Sequence, residues 1–133
     1  MGGGELRAHR ILVVDDEDTI REAVVEILGD RGYEAVGAPN GREALRKLRA
    51  APASWSLVLL DLTMPVMDGR AFRGEQRRDP ALAAIPVIIL SAFRDVAVSA
   101  ADLEAAAYLQ KPLNLPLLLE ALRQHLSTRP PRR

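Results

Sequence analysis

Four short polar clusters, each set behind an apolar run, hold the residues of this chain that could do chemistry together. Asp15 and Asp16 follow Ile11-Leu12-Val13-Val14, and Asp61 follows Leu57-Val58-Leu59-Leu60. Ser91 follows Val87-Ile88-Ile89-Leu90, and Lys111-Pro112 come just after Ala106-Ala107-Tyr108-Leu109. If the first and third runs are neighbouring strands, their ends lie about 4.8 Å apart. Three carboxylates would then converge, and like charges so placed need compensation. A hard divalent cation supplies it: Mg²⁺ takes one or two carboxylates and keeps several waters, leaving positions for phosphate oxygens. A carboxylate can attack phosphorus to form an aspartyl-phosphate. Lys111 is placed to neutralise charge on the transferring oxygens, and the Ser91 hydroxyl to hydrogen-bond one of them after transfer.

Each residue also has a plainer reading. Asp15 or Asp16 alone is helix N-terminal charge, worth tenths of a kcal/mol through the helix dipole, ~0.3–1. Asp61 alone opens a turn, since Met64-Pro65 and Asp68-Gly69 follow. Ser91 alone is a strand-end hydroxyl, and Lys111 before Pro112 a solvated loop. Together, in this order, they read as one site. Lysine usage points the same way. The chain carries sixteen Arg and only two Lys, Lys47 and Lys111, and Lys is a compact point charge where Arg is a planar fork.

The elements that must position these residues are legible from periodicity. Apolar runs of strand length alternate with segments of helical period, the mark of a parallel sheet with crossover helices. Ile20, Ala23, Val24, Ile27 and Leu28 line one helical face, with Asp18 as N-cap and Gly32 as stop. Tyr33-Glu34-Ala35-Val36 forms a second strand. Asn40 with Glu43 three residues on caps a helix over Ala44, Leu45 and Leu48, ended by Pro52. A third helix over about 70–78 has a thin apolar face, Ala71 and Phe72, with Gly74 inside it. A fourth, over about 95–104, rests on Ala97, Ala100, Ala101 and Leu103. A fifth begins near Asn114, takes Pro116 in its first turn, and shows Leu118, Leu119, Leu122 and Leu126. Five strands therefore alternate with five helices in an α/β fold. Consecutive apolar positions in the strands mean that helices cover both faces. Ligands bind such sheets outside the carboxyl ends of the strands, where the polar clusters fall.

Composition narrows the function classes. At 133 residues the chain suits one domain, expected over 9–126 between a disordered lead-in, 1–8, and a polar tail, 127–133. Eighteen acidic and eighteen basic residues balance, so charge gives no case for nucleic acid or anionic lipid as partner. The absence of cysteine excludes disulfides, thiolate metal sites and thiol catalysis. No apolar stretch reaches membrane-spanning length and the first residues lack a signal-peptide core, so the expectation is a cytoplasmic protein with no membrane partner.

The segments Ile11–Asp16, Asp61-Leu62-Thr63-Met64-Pro65-Val66-Met67-Asp68-Gly69, Ile85–Ala92 and Tyr108-Leu109-Gln110-Lys111-Pro112 resemble the receiver domain of two-component response regulators, over about residues 9–126. The resemblance implies a flavodoxin-like (βα)5 doubly wound parallel five-stranded sheet, strand order 2-1-3-4-5. It makes Asp61 the phosphoacceptor. Asp15, Asp16, Asp61 and the backbone carbonyl of Thr63 become the Mg²⁺ ligands, with Mn²⁺ as a substitute ion. Ser91, Lys111 and Tyr108 become the phosphoryl-contact and switch residues, and Pro112 the turn or cis-peptide candidate. The partners implied are a sensor histidine kinase or histidine phosphotransfer protein and an unidentified downstream protein. The latter would bind the face of the fourth helix, fifth strand and fifth helix, and a phosphorylation-linked dimer is a further expectation. The chain departs from the family pattern at Leu113, where an aromatic often follows Lys-Pro, and at Ala105-Ala106, where a Gly is common. A stand-alone signalling switch that is not an enzyme beyond its own phosphorylation and slow dephosphorylation is the leading expectation. A relay intermediate, or the receiver of a larger regulator, is equally compatible. A small Mg-dependent phosphohydrolase is the competing class. Thr63 opposes it, because phosphatases of the haloacid-dehalogenase type need an acid two residues after the nucleophile.

Overall fold

The computed structural model describes residues 9–62, 66–91 and 104–126. The expected lead-in, tail, Thr63 and nearly all of the helix expected over 95–104 lie outside these residues.

Each apolar run forms a strand. They are β1 (Arg10–Val14), β2 (Glu34–Ala38), β3 (Leu57–Asp61), β4 (Val87–Ser91) and β5 (Ala107–Gln110). All pair in parallel in the order β2-β1-β3-β4-β5. The described helices are α1 (Asp18–Asp30), α2 (Gly41–Ala50), α3 (Gly69–Arg78) and α4 (Leu115–Leu126), with a 3₁₀ turn at Pro52–Ser54.

Strand side chains alternate between faces, and the core divides accordingly. Leu12, Val14, Val58, Leu60, Val87 and Ile89 pack with Ala44, Leu48 and Phe72 of α2 and α3. Ile11, Val13, Leu57, Leu59, Ile88 and Leu90 pack with Val24 and Leu28 of α1 and Leu118 and Leu122 of α4. Helices on both faces explain why β1 and β3 are apolar at consecutive positions. The chain leaves β1 toward β2 on one side and β3 toward β4 on the other. The loops after β1 and β3 therefore diverge and leave a crevice between two strand ends.

Three local details differ from expectation. Glu17, not Asp18, occupies the cap position of α1; the Asp15 carboxylate accepts from Glu17 N–H at 2.9 Å, and Asp18 opens the helix paired with Arg21. The second strand runs two residues further than its apolar stretch suggests, because its register with β1 continues through Gly37 to Val14↔Ala38. In α3 only Phe72 of the expected apolar pair is buried. The helix instead buries Arg73 and Gln76. The Gln76 amide donates to Leu82 O at 2.9 Å and Ile85 O at 3.1 Å, and its oxygen accepts from Arg73 at 2.8 Å. Arg73 also donates to Glu104 O at 3.0 Å. Burial pulls the Arg73 pKa below the ordinary value and nearby Arg77 lowers it further, while Glu104 opposes both.

Candidate functional site

Two strand registers build the site. Val14 pairs with Leu60 as the last rung between β1 and β3. Asp15 and Asp61 are the next residue on each strand, so they meet side by side at the crevice. Both are buried, at 1% and 5% exposure, whereas Asp16 is exposed. Carboxylate oxygens of Asp15, Asp16 and Asp61 lie within 4.8 Å of one another.

The charge they concentrate is answered from the far side of the sheet. Lys111, just past the end of β5, extends its ammonium to Asp15 Oδ2 at 3.2 Å and Asp61 Oδ1 at 3.6 Å. Burial acts to lower the Lys111 pKa, but the charges of Asp61 and Asp15 and the bond to Asp15 outweigh it and raise it above the ordinary value. The ammonium is thereby held charged. Three carboxylates against one ammonium still leave an excess of negative charge, and their oxygens are hard donors. That donor set fits a hard divalent cation and no thiophilic one. The peptide bond between Lys111 and Pro112 is cis.

Close packing sets the depth of Asp61. Gly69, at the first position of α3, donates its N–H to Leu62 O at 2.8 Å. A Cβ there would stand 2.8 Å from Leu62 Cα and 2.9 Å from Asp61 O, so only glycine lets α3 begin this close behind Asp61. Asp68 caps the helix, its carboxylate accepting from Ala71 N–H at 2.9 Å. These two residues, legible as a turn, thus fasten the loop that leaves Asp61.

The remaining candidates separate. Ser91 ends β4 opposite Gln110, one residue beyond the Asp61↔Leu90 rung. Its backbone borders the crevice, and its side chain and the Thr63 carbonyl lie outside the described residues. Tyr108, on β5, pairs with Ile89 of β4 and is 48% exposed, so it is not a core aromatic. Two site neighbours carried no signal in the sequence. Ala38 O of β2 accepts from Asp15 N–H at 3.1 Å, and Arg21 donates to Asp15 O at 2.8 Å. Arg21 is a polar residue on an amphipathic helix, and only the fold turns it toward the site.

Comparison with known proteins identifies the family. The model of the response regulator receiver domain matches residues 11–123. The chain belongs to this family. As a receiver domain of two-component signalling, its relatives share a fold built around aspartate phosphorylation. The receiver is 34% identical over 121 residues to chemotaxis protein CheY of Bacillus subtilis, covering 90% of this chain and 99% of that protein. It is 38% identical over 117 residues to response regulator RR06 of Streptococcus pneumoniae, covering 85% of this chain and 51% of that protein. The receiver thus spans about half the length of the first such relatives it matches. Among solved structures, response regulator TrrA of Thermotoga maritima, in complex with Mg(2+)-BeF, superimposes with a TM-score of 0.77 at 36% identity, covering 87% of this chain and 97% of that one. Among the described residues, no helix of the receiver is long and apolar enough to cross a membrane.

Proposed function

We propose that this receiver takes a phosphoryl group from a phosphohistidine onto Asp61, with Mg²⁺ held by Asp15, Asp16 and Asp61, and passes the signal on as a changed protein-binding surface. The observation that carries this reading is the convergence of three carboxylates within 4.8 Å of one another, two of them against the Lys111 ammonium. The Mg²⁺-containing structure of TrrA supports the choice of ion.

In the transfer, an Asp61 carboxylate oxygen forms a bond to phosphorus as the P–N bond of the phosphohistidine breaks. The imidazole leaves with the bonding electrons and takes up a proton. When bound, Mg²⁺ neutralises excess carboxylate charge and polarises the phosphoryl oxygens. Lys111, kept charged by its two carboxylate neighbours, stands where the arriving phosphoryl group becomes its counter-ion. Its contact with Asp61 is then exchanged for one with phosphoryl oxygen, a change that reaches β5 directly. Tyr108, on β5 three residues before Lys111, is the exposed side chain that would report that change to a partner. The donor is a sensor kinase or a histidine phosphotransfer protein, and catalysis is confined to the receiver's own phosphorylation and slow loss of the group to water.

Incubation with Mg²⁺ and acetyl phosphate, read by intact mass, tests this. A single phosphoryl adduct on the wild type, absent from Asp61→Asn and abolished by chelation, is expected. An adduct that survives in Asp61→Asn would sink the acceptor assignment. Sustained turnover of phosphate monoesters would replace the switch by a phosphohydrolase.

A further inference from the structure

Asp16 is the exposed carboxylate of the cluster, so its place depends on the backbone that carries it. Both peptide groups flanking Asp15 are held. Its N–H donates to Ala38 O of β2 at 3.1 Å, and its carbonyl oxygen accepts from Arg21 Nη1 at 2.8 Å. That carbonyl belongs to the planar peptide joining Asp15 to Asp16. A bond to its oxygen therefore fixes the plane, and with it the direction in which Asp16 leaves the strand.

Arg21 is itself held. Its Nη2 donates to Asp18 Oδ1 at 2.6 Å, and the side chain is mostly buried. The stem lies against β2 at Gly37. A Cβ there would stand 3.1 Å from Arg21 Cδ, 3.2 Å from Cγ and 3.3 Å from Nε, tighter than ordinary contact. A glycine in mid-strand weakens a sheet by removing a packed side chain. Here the open space is taken by the arginine of α1.

We propose that Arg21, seated over Gly37, is a positioning residue for the acceptor site: it orients the Asp15–Asp16 peptide and so holds the Asp16 carboxylate in the cluster. The expected effect on metal affinity rests on the function proposed above. The order of the turn in the metal-free protein does not.

The test compares Arg21→Met, Arg21→Lys, Gly37→Ala and Asp18→Asn with wild type, by Mg²⁺ titration calorimetry and by amide hydrogen exchange at Asp16 without metal. Arg21→Met should weaken Mg²⁺ binding about tenfold, as loss of a contact behind a metal ligand does, and speed exchange at Asp16. Gly37→Ala, which removes no hydrogen-bonding group but presses a methyl against the Arg21 side chain, should shift both readouts the same way but less. Arg21→Lys, which keeps a donor, should recover part of the loss. Asp18→Asn should stay within twofold of wild type, because the amide Oδ1 still accepts from Arg21 Nη2 and only the charge of the pair is lost. If Asp18→Asn reproduces Arg21→Met, Arg21 is a helix-surface partner and the proposal fails. It fails equally if Arg21→Met and Gly37→Ala leave both readouts at wild-type values. Should Arg21→Met not fold, the milder Gly37→Ala and Arg21→Lys carry the same comparison. A wild type that binds no Mg²⁺ would overturn the proposed function, and exchange at Asp16 would then decide the positioning role alone.

Discussion

Asp15, Asp16 and Asp61 do not share one environment, and their differences sort their roles. Asp15 is buried, with one oxygen accepting from Glu17 N–H and the other facing Lys111. Asp61 is buried beside the same ammonium. Asp16 stands in solvent with like charges within 4.8 Å. Its charge opposes the metal-free fold and favours a bound cation, so Asp16→Asn should have effects of opposite sign. Without Mg²⁺ the variant is expected to be more stable than wild type by about 0.5 kcal/mol, the scale of one exposed charge pair. With Mg²⁺ it should fall behind, because it lacks a ligand. Urea unfolding at fixed pH, with and without the ion, checks the crossover.

The least legible element was α3, and the reason is its chemistry. Phe72 is the only buried large apolar side chain of the helix, and a count of apolar positions misses what else secures it. Gln76 is fully buried. It binds two carbonyls of the segment leading into β4 and accepts from Arg73, which in turn reaches Glu104 just before β5. One amide therefore ties α3 to the approaches of two strands. Gln76→Ala takes the side-chain donor from Ile85 O and one bond each from Leu82 O, which keeps Ile85 N–H, and Arg73, which keeps Glu104 O; a buried group left unsatisfied costs about 1–3 kcal/mol and each further lost bond about 1. A loss of roughly 2–4 kcal/mol in urea unfolding is expected, against near-neutral change for substitution of exposed Arg70 on the same helix. By contrast, α4 was fully legible: Leu118, Leu119, Leu122 and Leu126 recur at helical spacing and all are buried.

Across the whole molecule, folding assembles the site and site occupancy must feed back on folding. The carboxylates come from β1, the β1–α1 turn and β3, and the ammonium from beyond β5, ninety-six positions from Asp15. No fragment of the chain holds all of them, so an ion that binds the cluster binds the folded state alone. At a hundredfold excess over its dissociation constant, such a ligand stabilises by about 2.7 kcal/mol. Mg²⁺ should therefore raise the melting temperature of the wild type, chelation should reverse the rise, and Asp61→Asn should blunt it. A melting temperature indifferent to Mg²⁺ would count against the proposed ligand set.

For the described elements, identity, core faces and the residues of the cluster were written in the sequence, because strands and helices announce themselves by local period and each polar cluster follows its strand directly. Convergence was not. Whether Asp15 meets Asp61 depends on β3 pairing with β1 rather than with β2, a long-range choice that no local pattern encodes. The same holds for Arg21 over Gly37 and for Gln76 beneath the strand approaches. These contacts join residues from separate elements, and a polar side chain reads as solvated until the fold supplies the partner that lets it be buried.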